Sequence, residues 1–135
     1  LSIDEQQSEI GIDIRIPVLA DKDALVERLT EVAASYQLQY EEFDYVAPLY
    51  VPLDSPLVST LMAVYQEETG DQTPAMSSGG ATFARTMENC VAYGALLPDA
   101  LQTEHQANER AKLNDLYRAM EIYAETIRRL AGKEA

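Results

Sequence analysis

The stretch Glu9 to Val18, EIGIDIRIPV, alternates strictly between apolar and polar positions. Ile10, Ile12, Ile14 and Ile16 fall on one face, and Gly11, Asp13 and Arg15 on the other. That period of two predicts a half-buried β-strand, which Pro17 ends because it has no amide to give to a ladder. Arg15 stands at the centre of the polar face beside Asp13, so taken alone it reads as a solvent-facing guanidinium neutralised by its neighbour. Upstream, the polar run Leu1 to Ser8 reads as a frayed tail. Downstream, Asp21 is suited to cap a helix reaching about Tyr36, with Leu25, Leu29, Val32, Ala33 and Tyr36 as its buried stripe. Gln37 to Val46 alternates again through Leu38 and Tyr40, with a phase shift at Glu41-Glu42 that a bulge would explain. The first third of the chain therefore reads as strand–helix–strand, a split βαβ unit of the ferredoxin-like kind.

Three prolines, Pro48, Pro52 and Pro56, mark the run APLYVPLDSP as an extended connector. It is the natural domain boundary, dividing residues 1–48 from residues 49–135. Pro56 suits the first position of a second helix behind Asp54 or Ser55, and Gly70 suits its left-handed end. Ala81–Ala84 and Cys90–Leu97 are short apolar runs, predicted as buried strands. A last helix is expected over Asn108–Ala131, its core stripe made of Leu113, Leu116, Tyr117, Met120, Ala124, Ile127 and Leu130. The predicted order is mixed α and β, with strand–helix–strand followed by helix–strand–strand–helix.

Composition narrows the function classes. The 135 residues are 47% hydrophobic and carry a net charge of −13, with a pI near 4.3. A surface that acidic repels phosphate backbones, which argues against nucleic acid as a partner; it attracts cations, or simply keeps the protein soluble. No window approaches the roughly 18 apolar residues of a membrane span, so no membrane partner is expected. Cys90 is the only cysteine, which excludes an internal disulfide and points to the reducing cytoplasm. A chain that begins with Leu1 is expected to be a processed product or a piece of something longer.

Chemistry concentrates in Ser77 to Glu109. Gly79-Gly80 is either a plain turn or a place where backbone amides approach an anionic group. His105, the only histidine, sits in a loop ahead of the last helix, where Asn108 and Glu109 are suited to cap that helix and orient the loop. As a metal ligand it would be one of four or more. One histidine cannot supply the pair a zincin helix needs, no P-loop or dinucleotide glycine turn is present, and no serine has a nucleophile-elbow context.

The runs SSGGATFART, CVAYGALLP and EHQANE, leading into a helix that ends YAETIRRLAG, resemble the C-terminal part of M20-type metallopeptidases, in particular the PepV-like dipeptidases of bacteria. GIDIRIPV and the segment VPLDSPLVSTL resemble the end of the lid domain passing back into the catalytic domain, so the likeness covers the chain from about Gly11 onward. The resemblance implies that residues 1–48 are the ferredoxin-like half of a lid domain and residues 49–135 the C-terminal part of a zinc-peptidase α/β catalytic domain. It implies that His105 is the last metal ligand of a two-zinc site, where manganese or cobalt would also serve. It implies that Arg15 grips the carboxylate of a small peptide, and that Gly79 and Gly80 line the substrate pocket. The isoleucine face would then pack on the Asp21–Tyr36 helix, and Gly79-Gly80 and His105 would form two walls of one cleft that Arg15 reaches from the lid. The family's histidine-x-aspartate motif, bridging aspartate, Glu-Glu pair and lid histidine have no counterpart here. No catalytic residue is therefore expected in this chain, and by itself it should not hydrolyse peptides. A related aminoacylase, deacylase or tripeptidase, and a non-catalytic binding or oligomerisation module that self-associates through an open strand edge, are the competing readings.

Overall fold

The computed structural model describes residues 2–3, 8–94 and 96–132. The chain divides into two compact units, Leu1–Pro48 and Leu49–Ala135.

In the first unit, β1 (Ser2–Ile3) pairs antiparallel with β2 (Ser8–Glu9), Ser2 opposite Glu9 and Ile3 opposite Ser8. The expected tail thus takes part in a two-residue antiparallel ladder at its described residues; Leu1 and residues 4–7 lie outside them. Beyond Glu9 the alternating stretch carries no ladder, and Ile10, Ile12 (66% exposed) and Ile14 face solvent. Alternation makes a strand only where another strand takes up the free amides and carbonyls, and among the described residues none lies beside it. The helix α1 (Lys22–Ser35) begins where expected, with the Asp21 carboxylate accepting the Ala24 N–H at 3.1 Å. Its end is a Schellman turn: Leu38 N–H returns to Ala33 O at 2.9 Å and Gln37 N–H to Ala34 O at 3.0 Å, with Gln37 in the left-handed region at φ 60°. Leu25, Leu29 and Ala33 are half-buried, but no residue of α1 is fully buried and Val32 and Tyr36 are exposed. The isoleucines therefore do not form a core with α1, a correction to the expected packing. Residues 38–46 are likewise without a ladder. Lys22 ties them to the helix start, its Nζ 2.8 Å from Glu42 Oε1 and 3.7 Å above the Tyr45 ring.

In the second unit, α2 (Pro56–Thr69) opens with the Ser55 hydroxyl accepting the Val58 N–H at 3.2 Å and closes on Gly70 at φ 74°. Asp71 fixes the turn that follows. Its carboxylate accepts from the Tyr65 hydroxyl at 2.7 Å and from the Thr73 hydroxyl and amide, which hold its pKa below the ordinary carboxylate value. Phe83–Thr86 is a 3-10 turn rather than a strand: Thr82 caps it through the Ala84 N–H, and local bonds use the amides a strand would need. Cys90–Leu97 forms no ladder either, Ala95 lying outside the described residues. This segment is instead wedged between helices. The Tyr93 hydroxyl donates to Leu61 O of α2 at 3.0 Å, and Tyr93 O accepts from the Tyr123 hydroxyl of the last helix at 3.3 Å.

The last helix, α3 (Leu113–Ala131), starts five positions later than expected, because Asn108 adopts a left-handed φ of 60° that no helical turn tolerates. It packs on α2 around Val64, Leu97 and Ile122, with Tyr65, Tyr93, Ala100 and Tyr123 at the edge. The face turned inward is Asp115, Ala119, Ile122 and Thr126. The predicted stripe is on the opposite side at roughly 100° per residue, and Leu113, Met120 and Ile127 are 63%, 63% and 65% exposed. Small residues at 119 and 126 let α3 lie close to α2; the bulky stripe is largely exposed.

An ion cluster closes this seam. Arg129 holds Glu67 of α2 through both terminal nitrogens and Glu125 through Nε at 2.6 Å, and Arg128 also grips Glu125. Hydrogen bonds from these guanidiniums pull the Glu125 carboxyl down to about 2 and that of Glu67 below its ordinary value near 4.5. Both folded-state values are depressed, so their stabilisation is present above pH 4.5 and is lost as pH falls toward 2. Arg129→Gln should therefore lower the thermal midpoint at pH 7, yet lose less than wild type between pH 5 and 2.5. Circular dichroism melts falling in parallel for both proteins would remove this role for Arg129.

Candidate functional site

Arg15 lies in the first unit, exposed, with Nε 3.0 Å from Asp13 Oδ1 and Nη2 3.1 Å from Asp13 Oδ2. Alternation places both on one side of the chain two residues apart, so the carboxylate meets the planar fork of the guanidinium at both oxygens. With both side chains more than half exposed, the pair adds little stability, roughly 0–1 kcal/mol for contacts of this kind. The guanidinium is more than half exposed to solvent.

Gly79 and Gly80 form an exposed bend in the second unit, held by the Gly80 N–H on Ser78 Oγ at 3.0 Å. Neither takes a positive φ, and a methyl added at Gly79 would meet nothing within 4 Å. At Gly80 it would meet Ser78 Oγ at 3.2 Å. Local backbone geometry thus does not demand glycine at 79; what the pair offers is an uncovered stretch of main chain.

His105 is exposed and takes a left-handed φ of 60°. The segment that presents it is anchored at both ends. On the near side, the turn Leu97–Ala100 closes through Ala100 N–H on Leu97 O at 2.9 Å. Lys112 Nζ donates to Asp99 O at 2.9 Å, and Arg118 pairs with the Asp99 carboxylate at 3.1 Å, lowering its pKa. On the far side, the Thr103 hydroxyl donates to Arg110 O at 2.8 Å and accepts the Arg110 N–H at 3.1 Å. Glu109 Oε2 accepts the His105 N–H at 3.2 Å. Asn108 and Glu109 thus do not cap α3, whose cap residue Lys112 makes no side-chain cap bond; Glu109 serves the loop. Thr103 was not singled out by sequence, and its only signal there was a hydroxyl seven residues before Arg110. Beside the loop lies an open groove of about 540 Å³ whose walls include Leu96, Leu101, Glu104, Glu109, Arg110 and Leu116.

The glycine bend and the histidine loop are each held by bonds inside their own segment, and among the described residues no hydrogen bond joins the two. Among the described residues no three His, Cys, Asp or Glu side chains are placed to hold a metal ion. A zinc site takes about four donors, so the residues present do not by themselves fit the metal that the resemblance implies. His105 can offer one donor at most.

The peptidase family M20/M25/M40 model matches residues 3–129. A provisionally named dipeptidase of Bacillus subtilis, YtjP, is 37% identical over 126 residues, which are 93% of this chain and 27% of that protein. Similarly named dipeptidases of Staphylococcus haemolyticus and Staphylococcus saprophyticus are each 31% identical, over 94% and 93% of this chain and 27% of theirs. The chain spans about a quarter of the length of these relatives. No solved structure matches it.

If the Asp13 contact is only a surface pair, Asp13→Asn should change the urea unfolding free energy by less than about 0.5 kcal/mol. A loss of about 2 kcal/mol or more would make Arg15 a structural residue instead.

Proposed function

The chain belongs to the peptidase family M20/M25/M40, and from that premise we propose that it is the C-terminal portion of a metal-dependent dipeptidase of the cytoplasm. In this reading the whole protein hydrolyses small peptides, and a pair of zinc ions, or manganese or cobalt in their place, would be held by His105 together with donors from the rest of that protein and would supply an activated water. His105 supplies one metal ligand, Arg15 binds the substrate carboxylate, and Gly79 and Gly80 line the pocket. The observation that carries the reading is the match of nearly the whole chain to the family, together with the only histidine in a loop fastened on both sides.

The exposed apolar faces support a larger whole. Ile10, Ile12 and Ile14 form an uncovered face in the first unit, as do Leu113, Leu116, Tyr117, Met120 and Ile127 on α3. Contiguous apolar surface of this kind marks a place where further protein packs. We assign the first face to a strand of a ferredoxin-like lid sheet, and the second to the interior of an α/β catalytic domain. Separated from that remainder, the chain is expected to self-associate through the same faces.

Two measurements test the proposal. The isolated chain should not hydrolyse dipeptides with added Zn²⁺ or Mn²⁺, whereas the full-length protein should; turnover by the isolated chain would overturn the missing-ligand argument. In the full-length protein His105→Ala should lower metal content, and Arg15→Ala should raise KM for dipeptides at unchanged metal content. Equal metal occupancy in wild type and His105→Ala would remove the ligand assignment.

A further inference from the structure

His105 and Asn108 both hold φ near 60° within a four-residue span. A non-glycine residue stays in the left-handed region only where its surroundings determine it. The surroundings here are a set of hydrogen bonds within the loop itself. Gln106 N–H donates to Thr103 O and Glu109 N–H to Gln106 O, each at 3.2 Å. Thr103 grips the N–H and C=O of Arg110 with one hydroxyl, closing the base of the loop. Glu109 reaches back to the His105 amide itself. Neither side chain is engaged at the start of α3, which begins at Leu113 without a side-chain cap.

We propose that Thr103 and Glu109 are the positioning residues of the His105 imidazole, Thr103 closing the loop and Glu109 fixing the histidine's own backbone in its left-handed turn. The proposal rests on the reading above that His105 is the functional donor of this chain. The carboxylate oxygen and the hydroxyl each act through hydrogen bonding alone, so an amide at 109 and a serine at 103 retain the function, whereas alanine and valine lose it. The position of the ring then follows from the sequence T-x-H-x-x-x-E-R, in which the acceptor for residue 105 comes four positions later and the staple partner of residue 103 seven positions later.

The test uses the 135-residue chain, in which the only histidine gives one unambiguous set of imidazole resonances. Hydrogen exchange of the His105 amide and the ring Cε1–H shift are recorded for wild type, Glu109→Ala, Glu109→Gln, Thr103→Val and Thr103→Ser. Glu109→Ala, which removes the one hydrogen bond to the His105 amide, should speed its exchange about tenfold; Thr103→Val, which removes both hydrogen bonds to Arg110, should speed it about tenfold or more, and both should move the ring signal. Glu109→Gln and Thr103→Ser should stay within about threefold of wild type. The amides of Ile122 and Tyr123 in α3 should be unchanged in all four. The proposal is overturned if alanine and valine leave His105 at wild-type values, if the conservative variants lose as much as the disruptive ones, or if the α3 amides loosen in step. None of these readouts involves metal or turnover. Retention of metal by full-length His105→Ala would sink the ligand assignment while leaving the loop result standing.

Discussion

The second unit depends on the seam where α2 meets α3. Val64 and Ile122 close on Leu97, and Tyr93 threads between the helices with one hydrogen bond to each side. Burying Tyr93 pushes its hydroxyl pKa upward, so it stays a donor to Leu61 O at any ordinary pH. The two Tyr rings, 93 and 123, meet tilted at 5.9 Å, which suits the edge-to-face attraction of aromatic quadrupoles. At the solvent edge, Arg129 joins Glu67 to Glu125 across the same line. Everything that presents His105 hangs from this seam: Leu97 is buried in it, the Pro98–Ala100 turn leaves from it, and Asp99 is tied back to α3 by Lys112 and Arg118.

Which face of α3 meets α2 is the decision that most shapes the unit, and hydrophobic periodicity alone does not make it. Leu113, Leu116, Tyr117, Met120 and Ile127 form the bulkier stripe, yet Asp115, Ala119, Ile122 and Thr126 are the residues against α2. A period of 3.6 says that a helix has an apolar face, not what stands opposite it. Two neighbours on two sides give a helix two faces, and the close one can be built from small residues while the wide one takes the large. The same reasoning applies to the isoleucines of residues 10–16. Their alternation is a statement about a sheet, and a sheet is a property of several segments at once.

What was legible in the sequence is accordingly what is local. Asp21, Ser55 with Pro56, and Gly70 mark helix ends by chemistry contained in four residues, and each stands where its type predicts. The C-terminal end of α1 was less legible, since Gln37 occupies a left-handed position usually given to glycine. The start of α3 is not legible, because Asn108 and Glu109 look like capping residues, whereas one sits in a left-handed turn and the other bonds backward to His105. Apolar runs such as Cys90–Leu97 fit a buried strand and a buried irregular wedge equally well, and only Tyr93's two partners, about thirty residues away on either side, decide between them.

The candidate site divides along the same line. His105 stands out in the sequence because it is the only histidine, whereas Arg15 beside Asp13 reads as an ordinary surface residue and is singled out only by the resemblance. The loop that gives the histidine its orientation could not be foreseen from types, since its contacts join residues four and seven apart outside any helix. This has a consequence for how such a site is assembled. A ligand held by a loop with its own closing bonds keeps its backbone conformation whether or not other donors are present, so less ordering is left to occur when they arrive. A guanidinium on an exposed, loosely paired stretch is the opposite case: Arg15 is tied only by a surface contact with Asp13, which costs little to exchange. One residue thus has its backbone fixed by its own loop and the other keeps a partner that is easily exchanged, a difference that fits the roles proposed for them above.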